Sequence, residues 1–200
     1  MESNLSKSER TRNFIVETSS AIFNKKGFAG TSMSDLTEAT GLTKGSIYGN
    51  FENKEEVALA VFDFNYAKIN SIIRSRISKA KTCFDKLMVY AQVYDRFSSN
   101  AFPEGGCPIL NTAVEADDTH GGLKAKAAEA ILGWKKNIIG LLEEGVESGE
   151  FRKDFDASQI ALSIIALIEG GIMIAKVTGN QTSLDKILKT VKLLLEQIKA

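Results

Sequence analysis

Two hundred residues with 25 basic and 25 acidic side chains carry no formal net charge, which excludes a polybasic protein but not a local basic face. At 44% hydrophobic and 25% charged, the composition is that of a globular chain rather than a disordered one. Two prolines, two cysteines and one histidine argue against a turn-rich β fold, a disulfide framework and a zinc site of about four ligands.

The elements in chain order are helical throughout. Phe14, Ile15, Thr18, Ala21 and Ile22 form one face of a helix over about 7–26, which Gly27 stops. Thr31 or Ser32 caps a short second helix with the stripe Met33, Leu36 and Ala39, ended by Gly41. A very short third helix begins at Thr43 and carries Ile47, Tyr48 and Phe51. Asn53 caps a fourth, with Glu56 as its capping-box partner, and the apolar pattern runs through Ile73. Further helices are expected from Thr82 to about Ser98, through Asn111 and Glu115, over 123–146 after a Gly121-Gly122 break, over 156–177, and over 184–199. The expected fold is all-α, about nine helices and no strand.

The segment Met1 to Arg12 lacks the apolar centre of a signal peptide. The longest apolar run, Ile160 to Ala175, contains Glu169, Gly170 and Gly171 and falls short of the roughly 20 residues of a membrane span. It reads as a buried helix, and a cytoplasmic protein without membrane partner is expected.

Two short helices joined by a tight turn at Gly41 read as a helix-turn-helix over about 32–51. Gly41 supplies a left-handed turn, and Leu36, Leu42 and Ile47 are spaced to lock the helices together. The second helix then turns Thr43, Lys44, Ser46 and Asn50 outward, a polar face suited to the DNA major groove. A helical hairpin at the edge of a bundle is the plainer alternative. From Met1 to Lys54 there are seven basic and six acidic residues, so the net +1 is no strong basic footprint.

Gly27-Phe28, Thr31-Ser32-Met33, the run from Ala39 to Tyr48, Phe51 and Lys54-Glu55 resemble the N-terminal domain of the TetR/AcrR family of bacterial transcriptional regulators. The resemblance implies base reading by Lys44 and Ser46, a capping Thr43, and phosphate contacts from Ser32, Ser34, Tyr48 and Lys54. Gly49 and Asn50 depart from the family pattern, as does Thr37 where alanine is common. The resemblance divides the chain into a DNA-binding domain, 1–54, and a helical ligand-binding and dimerisation domain, 55–200. It implies a ligand-responsive repressor that binds a palindromic double-stranded DNA operator as a homodimer. A helical small-molecule-binding or scaffold protein that no longer binds DNA is the competing class.

Apolar residues cover more than one face of the last two helices, as expected if they pack against the same pair from a second copy. Stray polar and aromatic residues on helices that should enclose a cavity point to an unknown small-molecule effector: Tyr90, Tyr94, Phe97, Cys107, Asn111, Trp134, Asn137 and Met173. Glu169, a carboxylate amid Ile168, Gly170 and Ile172, could bind a cationic ligand, pair across a dimer or sit at a wet edge. No nucleophile with a base, no acid–base pair and no metal cluster is recognisable, so neither enzyme activity nor a cofactor is expected.

Overall fold

The structure, a computed structural model, describes residues 5–94 and 102–200. Among them are nine α-helices and no strand: α1 (Lys7–Lys26), α2 (Met33–Thr40), α3 (Lys44–Tyr48), α4 (Lys54–Ile77), α5 (Cys83–Gln92), α6 (Pro108–Ala116), α7 (Gly121–Glu147), α8 (Ala157–Thr178) and α9 (Gln181–Glu196).

Local side-chain chemistry sets most helix starts. The hydroxyls of Ser6, Ser32, Thr43 and Thr82 accept the backbone N–H three residues on, as does the Asp156 carboxylate, each satisfying a donor the helix leaves orphaned. Asn53 does the same for Glu56 N–H at 2.9 Å. The expected capping box is only half made there, because the Glu56 carboxylate accepts from Glu52 N–H (2.7 Å) and the Arg12 guanidinium (2.6 Å) instead.

Three expected boundaries move. Gly121 and Gly122 open α7 rather than break the chain, because His120 caps it: His120 Nδ1 accepts Leu123 N–H at 3.1 Å and its carbonyl accepts Lys124 N–H at 2.9 Å. Helix α9 starts at Gln181, three residues before the expected Leu184. Helix α5 ends at Gln92 with Val93 as its C-cap, short of the expected Ser98, and residues 95–98 lie outside the described residues.

The chain folds as two compact units. The first takes the chain through Lys68 together with 102–128 of the described residues; the second takes Ile69 to Tyr94 and Glu129–Ala200. In the first, Ile15, Leu36, Ile47, Phe51, Val57, Val61 and Phe62 are buried and hold α1 to α4 together. In the second, Trp134, Ile138 and Leu142 of α7 are buried, as are Ile164, Ile168 and Ile172 of α8 and Leu184, Leu188, Val191 and Leu195 of α9. Gly171 lets α8 approach α9 of the same chain, since an added Cβ would lie 2.8 Å from Leu184.

Helix α8 is 22 residues long and apolar enough by length and composition to cross a bilayer, longer than the run expected. Its Ile160, Ile164, Ile168 and Ile172 are nonetheless buried within its own unit. Beyond α7 and α9, Phe151 and Lys199 form one isolated antiparallel bridge.

Candidate functional site

In the first unit, α2 and α3 meet at Gly41, whose φ of +67° is the left-handed geometry a Cβ disfavours. Leu36 and Ile47 are fully buried and Leu42 half-buried, so the pair is locked as the spacing predicts. The Thr37 hydroxyl donates back to Ser34 O at 3.0 Å, which is how the helix admits that departure.

The outward groups are then fixed. Ser32, Ser34, Thr43 and Lys44 are exposed, Tyr48 is 41% exposed and Ser46 is half-buried. The Lys44 ammonium stands 5.6 Å from the centre of the Tyr48 ring, and no ion pair holds it among the described residues. Much of the remaining basic charge in this unit is tied internally, in the pairs Arg12–Glu56, Lys26–Asp35 and Lys25–Glu104. The Lys26 ammonium, with the Ser32 backbone and hydroxyl, holds the Asp35 carboxyl well below the usual carboxylate range. Hydrogen bonds from Ser6 lower Glu9, and the Glu52 N–H followed by Arg12 lowers Glu56.

Two side chains expected on the DNA face have other contacts. Helix α3 ends at Tyr48, so Asn50 lies beyond it and its amide bonds back to Ser46 O at 2.9 Å. The same amide accepts from Ser8 Oγ at 3.1 Å, joining α1 to the end of α3. Lys54 Nζ donates to Phe28 O and Thr31 O, both at 2.8 Å, with the ammonium 4.2 Å over the Phe28 ring.

The same α1–α2 loop is held from α6. The Glu115 carboxylate accepts Phe28 N–H at 2.9 Å and Ala29 N–H at 2.8 Å. Asn111 Nδ2 donates to Asn24 O (2.9 Å) and Gly105 O (3.1 Å). Asn111 and the buried Cys107, which caps α6, were candidate ligand contacts, and both sit in the first unit beside this loop. The Glu115 clamp escapes periodicity, which shows a helix face but not what meets it.

The second unit contains a cleft of about 530 Å³ between α4, α5 and α7. Asn70, Ile73, Arg74, Ile77, Tyr90, Lys136, Asn137, Gly140 and Leu141 line it. Of the candidate ligand residues, Tyr90 and Asn137 are on its wall. Trp134 is buried behind it, its ring 5.9 Å from that of Tyr90 and its Nε1–H on Asn70 Oδ1 at 3.2 Å. Tyr94 is buried and also meets Trp134 edge to face, ring centres 6.1 Å apart. Phe97 lies outside the described residues. Met173 and Glu169 are on α8 and do not line the cleft; Met173 is 50% exposed and Glu169 half-buried. The sequence pattern left Arg74, Lys136 and Gly140 unnoticed, although a glycine inside an apolar helix was a usable signal. No group of three or more His, Cys, Asp or Glu side chains poised for a metal occurs among the described residues.

Residues 15–61 match the family model of bacterial regulatory proteins, tetR family, and residues 83–191 match that of the tetracyclin repressor-like C-terminal domain. The chain is 49% identical to a TetR family transcriptional regulator from Cytophaga hutchinsonii, over 98% of each chain with a TM-score of 0.95. It is 36% identical to a TetR transcriptional regulator from Chloroflexus aurantiacus, again over 98% of each, with a TM-score of 0.92. Among curated relatives, the HTH-type transcriptional repressor DhaR of a Mycobacterium species is 27% identical over 90% of this chain and 89% of its own.

Proposed function

The chain belongs to the TetR family of bacterial regulatory proteins, and from that premise we propose that it represses transcription as a ligand-released homodimer on a palindromic operator. It is a DNA-binding helix-turn-helix transcriptional regulator; the roles of individual residues are our reading. The observation that carries it is the α3 face, where Thr43 caps the helix while Lys44 and Tyr48 stand exposed. Lys44 and Ser46 read base edges in the major groove, as an Arg or Lys and a Ser commonly do. Ser32, Ser34, Thr43 and Tyr48 hold phosphates beside the orphan N–H groups at the starts of α2 and α3. Asn50 shapes the end of α3, and Lys54, with two of its three donors on Phe28 O and Thr31 O, has one left for a phosphate.

We assign DNA binding to the N-terminal segment 1–54, and effector binding and dimerisation to 55–200. The protein acts in the cytoplasm and performs no chemistry on its effector. The outer faces of α8 and α9 join the two copies, and the recognition helices then fall about 34–36 Å apart or a multiple of that. A small molecule in the α4–α5–α7 cleft favours a dimer geometry that no longer fits, a coupling of typically about 1–3 kcal/mol.

The test is fluorescence anisotropy with DNA from upstream of the protein's own coding sequence, followed by selection from genomic fragments. Sequence-selective binding with a steep salt dependence is expected. Lys44→Ala is expected to relax sequence preference by about 1–3 kcal/mol at the base it reads. A folded protein that selects no fragment at low salt overturns the reading and leaves a helical ligand-binding protein.

A further inference from the structure

Resting on the effector reading, we infer that the α4–α5–α7 cleft takes an amphipathic carboxylate, an anionic head on an aliphatic body. At about 530 Å³ the cleft is within the roughly 300–1,000 Å³ of small-molecule sites. Among the described residues its charged lining is of one sign: Arg74 from α4 and Lys136 from α7 face it, and no acidic side chain does. Neither cation makes an ion pair or side-chain hydrogen bond among the described residues, whereas Arg12, Lys26, Lys86 and Lys126 each do. A guanidinium takes a carboxylate through two parallel N–H bonds, and the Asn137 amide beside it supplies a further donor. The remaining wall is Ile73, Ile77 and Leu141 with the Tyr90 ring and Asn70, whose amide oxygen already accepts from Trp134; such a wall suits an apolar body but not a second charge.

Gly140 is an independent sign that space is kept here. It stands well inside the 27-residue α7, where glycine is the poorest ordinary helix former. No neighbour among the described residues excuses it, because a Cβ added there would meet none of them within 4 Å. What its missing side chain leaves is room in the cleft, directly beside Lys136 one turn earlier.

Trp134 is the only tryptophan, and its hydrogen bond to Asn70 and ring contact with Tyr90 tie its fluorescence to two lining residues. The full-length protein is titrated with decanoate, decanol and decylamine below their aggregation limits, and with 4-phenylbutyrate as a second carboxylate. A saturable change with a carboxylate is expected, at least tenfold tighter than with the neutral or cationic probe. Arg74→Gln and Lys136→Gln, both at exposed side chains, are expected to weaken it about tenfold each and to leave decylamine unaffected. Gly140→Leu is expected to raise the melting temperature while abolishing binding, which separates a filled cleft from a failed fold.

Equal affinity for the three decyl probes, unchanged binding in the variants, or no saturable response to either carboxylate overturns the inference. The same samples are assayed on the selected DNA fragment. DNA binding without a carboxylate response removes the ligand class and keeps the regulator; charge-selective carboxylate binding without DNA affinity keeps the ligand class and removes the regulator.

Discussion

Lys54 carries a positive charge at a position where the family resemblance implies a phosphate contact, yet its nearest acceptors are in its own unit. Two carbonyls of the α1–α2 loop, those of Phe28 and Thr31, end on its ammonium at 2.8 Å. Removing the ammonium leaves both without that donor in a half-buried setting, a loss of about 1–3 kcal/mol. Lys44 has no such bond, and substitutions at exposed positions of that kind change stability by about 0.5 kcal/mol or less. In urea titrations Lys54→Ala is therefore expected to lower the midpoint clearly, and Lys44→Ala to leave it in place. Both lower DNA affinity, but only the Lys54 loss should shrink when the variant is assayed well below its melting temperature. A Lys54→Ala protein of undiminished stability would overturn the structural role and leave the phosphate contact alone.

Helix α3 has five residues, too few for intrinsic propensity to sustain, so its ends decide whether it forms. Thr43 closes the front, and behind it Gly49 stands at φ −72°, ψ −13°, a conformation any residue adopts. An added Cβ at Gly49 would meet Gly45 O at 3.4 Å and Ser46 O at 3.5 Å, ordinary contact distances. Gly49→Ala is thus expected to stabilise the domain by about 0.4–1 kcal/mol, through the unfolded chain. Gly41, at φ +67° with open space around it, is the opposite case, and Gly41→Ala is expected to cost about 1–2 kcal/mol in backbone strain alone. Thermal unfolding of the two variants checks the contrast in sign. Much of this level is legible in the sequence, because capping by Thr43, Asn53, Thr82 and Asp156 is chemistry within four residues. The His120 cap of α7 was hidden by the two glycines after it. Glu115, Arg74 and Lys136 were hidden for a deeper reason: their roles depend on which helix lies opposite, and periodicity within one helix does not encode that.

At the scale of the whole molecule, α8 and α9 bury one face against each other and still expose apolar side chains on another. Leu193 is 58% exposed and Val177 82%, with Leu162, Met173 and Ile174 between a third and a half exposed or slightly more. Full burial of a leucine or valine side chain is worth about 1.5–3 kcal/mol, so this surface favours contact with a second copy. Val177→Glu with Leu193→Glu changes two positions in each of two copies. If all four become buried, the loss is about 6 kcal/mol or more per dimer, roughly four decades in dissociation constant. Sedimentation is expected to find a dimer for the natural sequence at micromolar concentration and a folded monomer for the double variant, since neither site contributes to its own core. A natural-sequence monomer, or a double variant that stays dimeric, overturns this assignment. The consequence reaches DNA through counterions rather than through any altered base contact. Each phosphate neutralised contributes about 0.9 to the slope of log affinity against log salt, so a monomer on one half-site should bind with about half the dimer's slope.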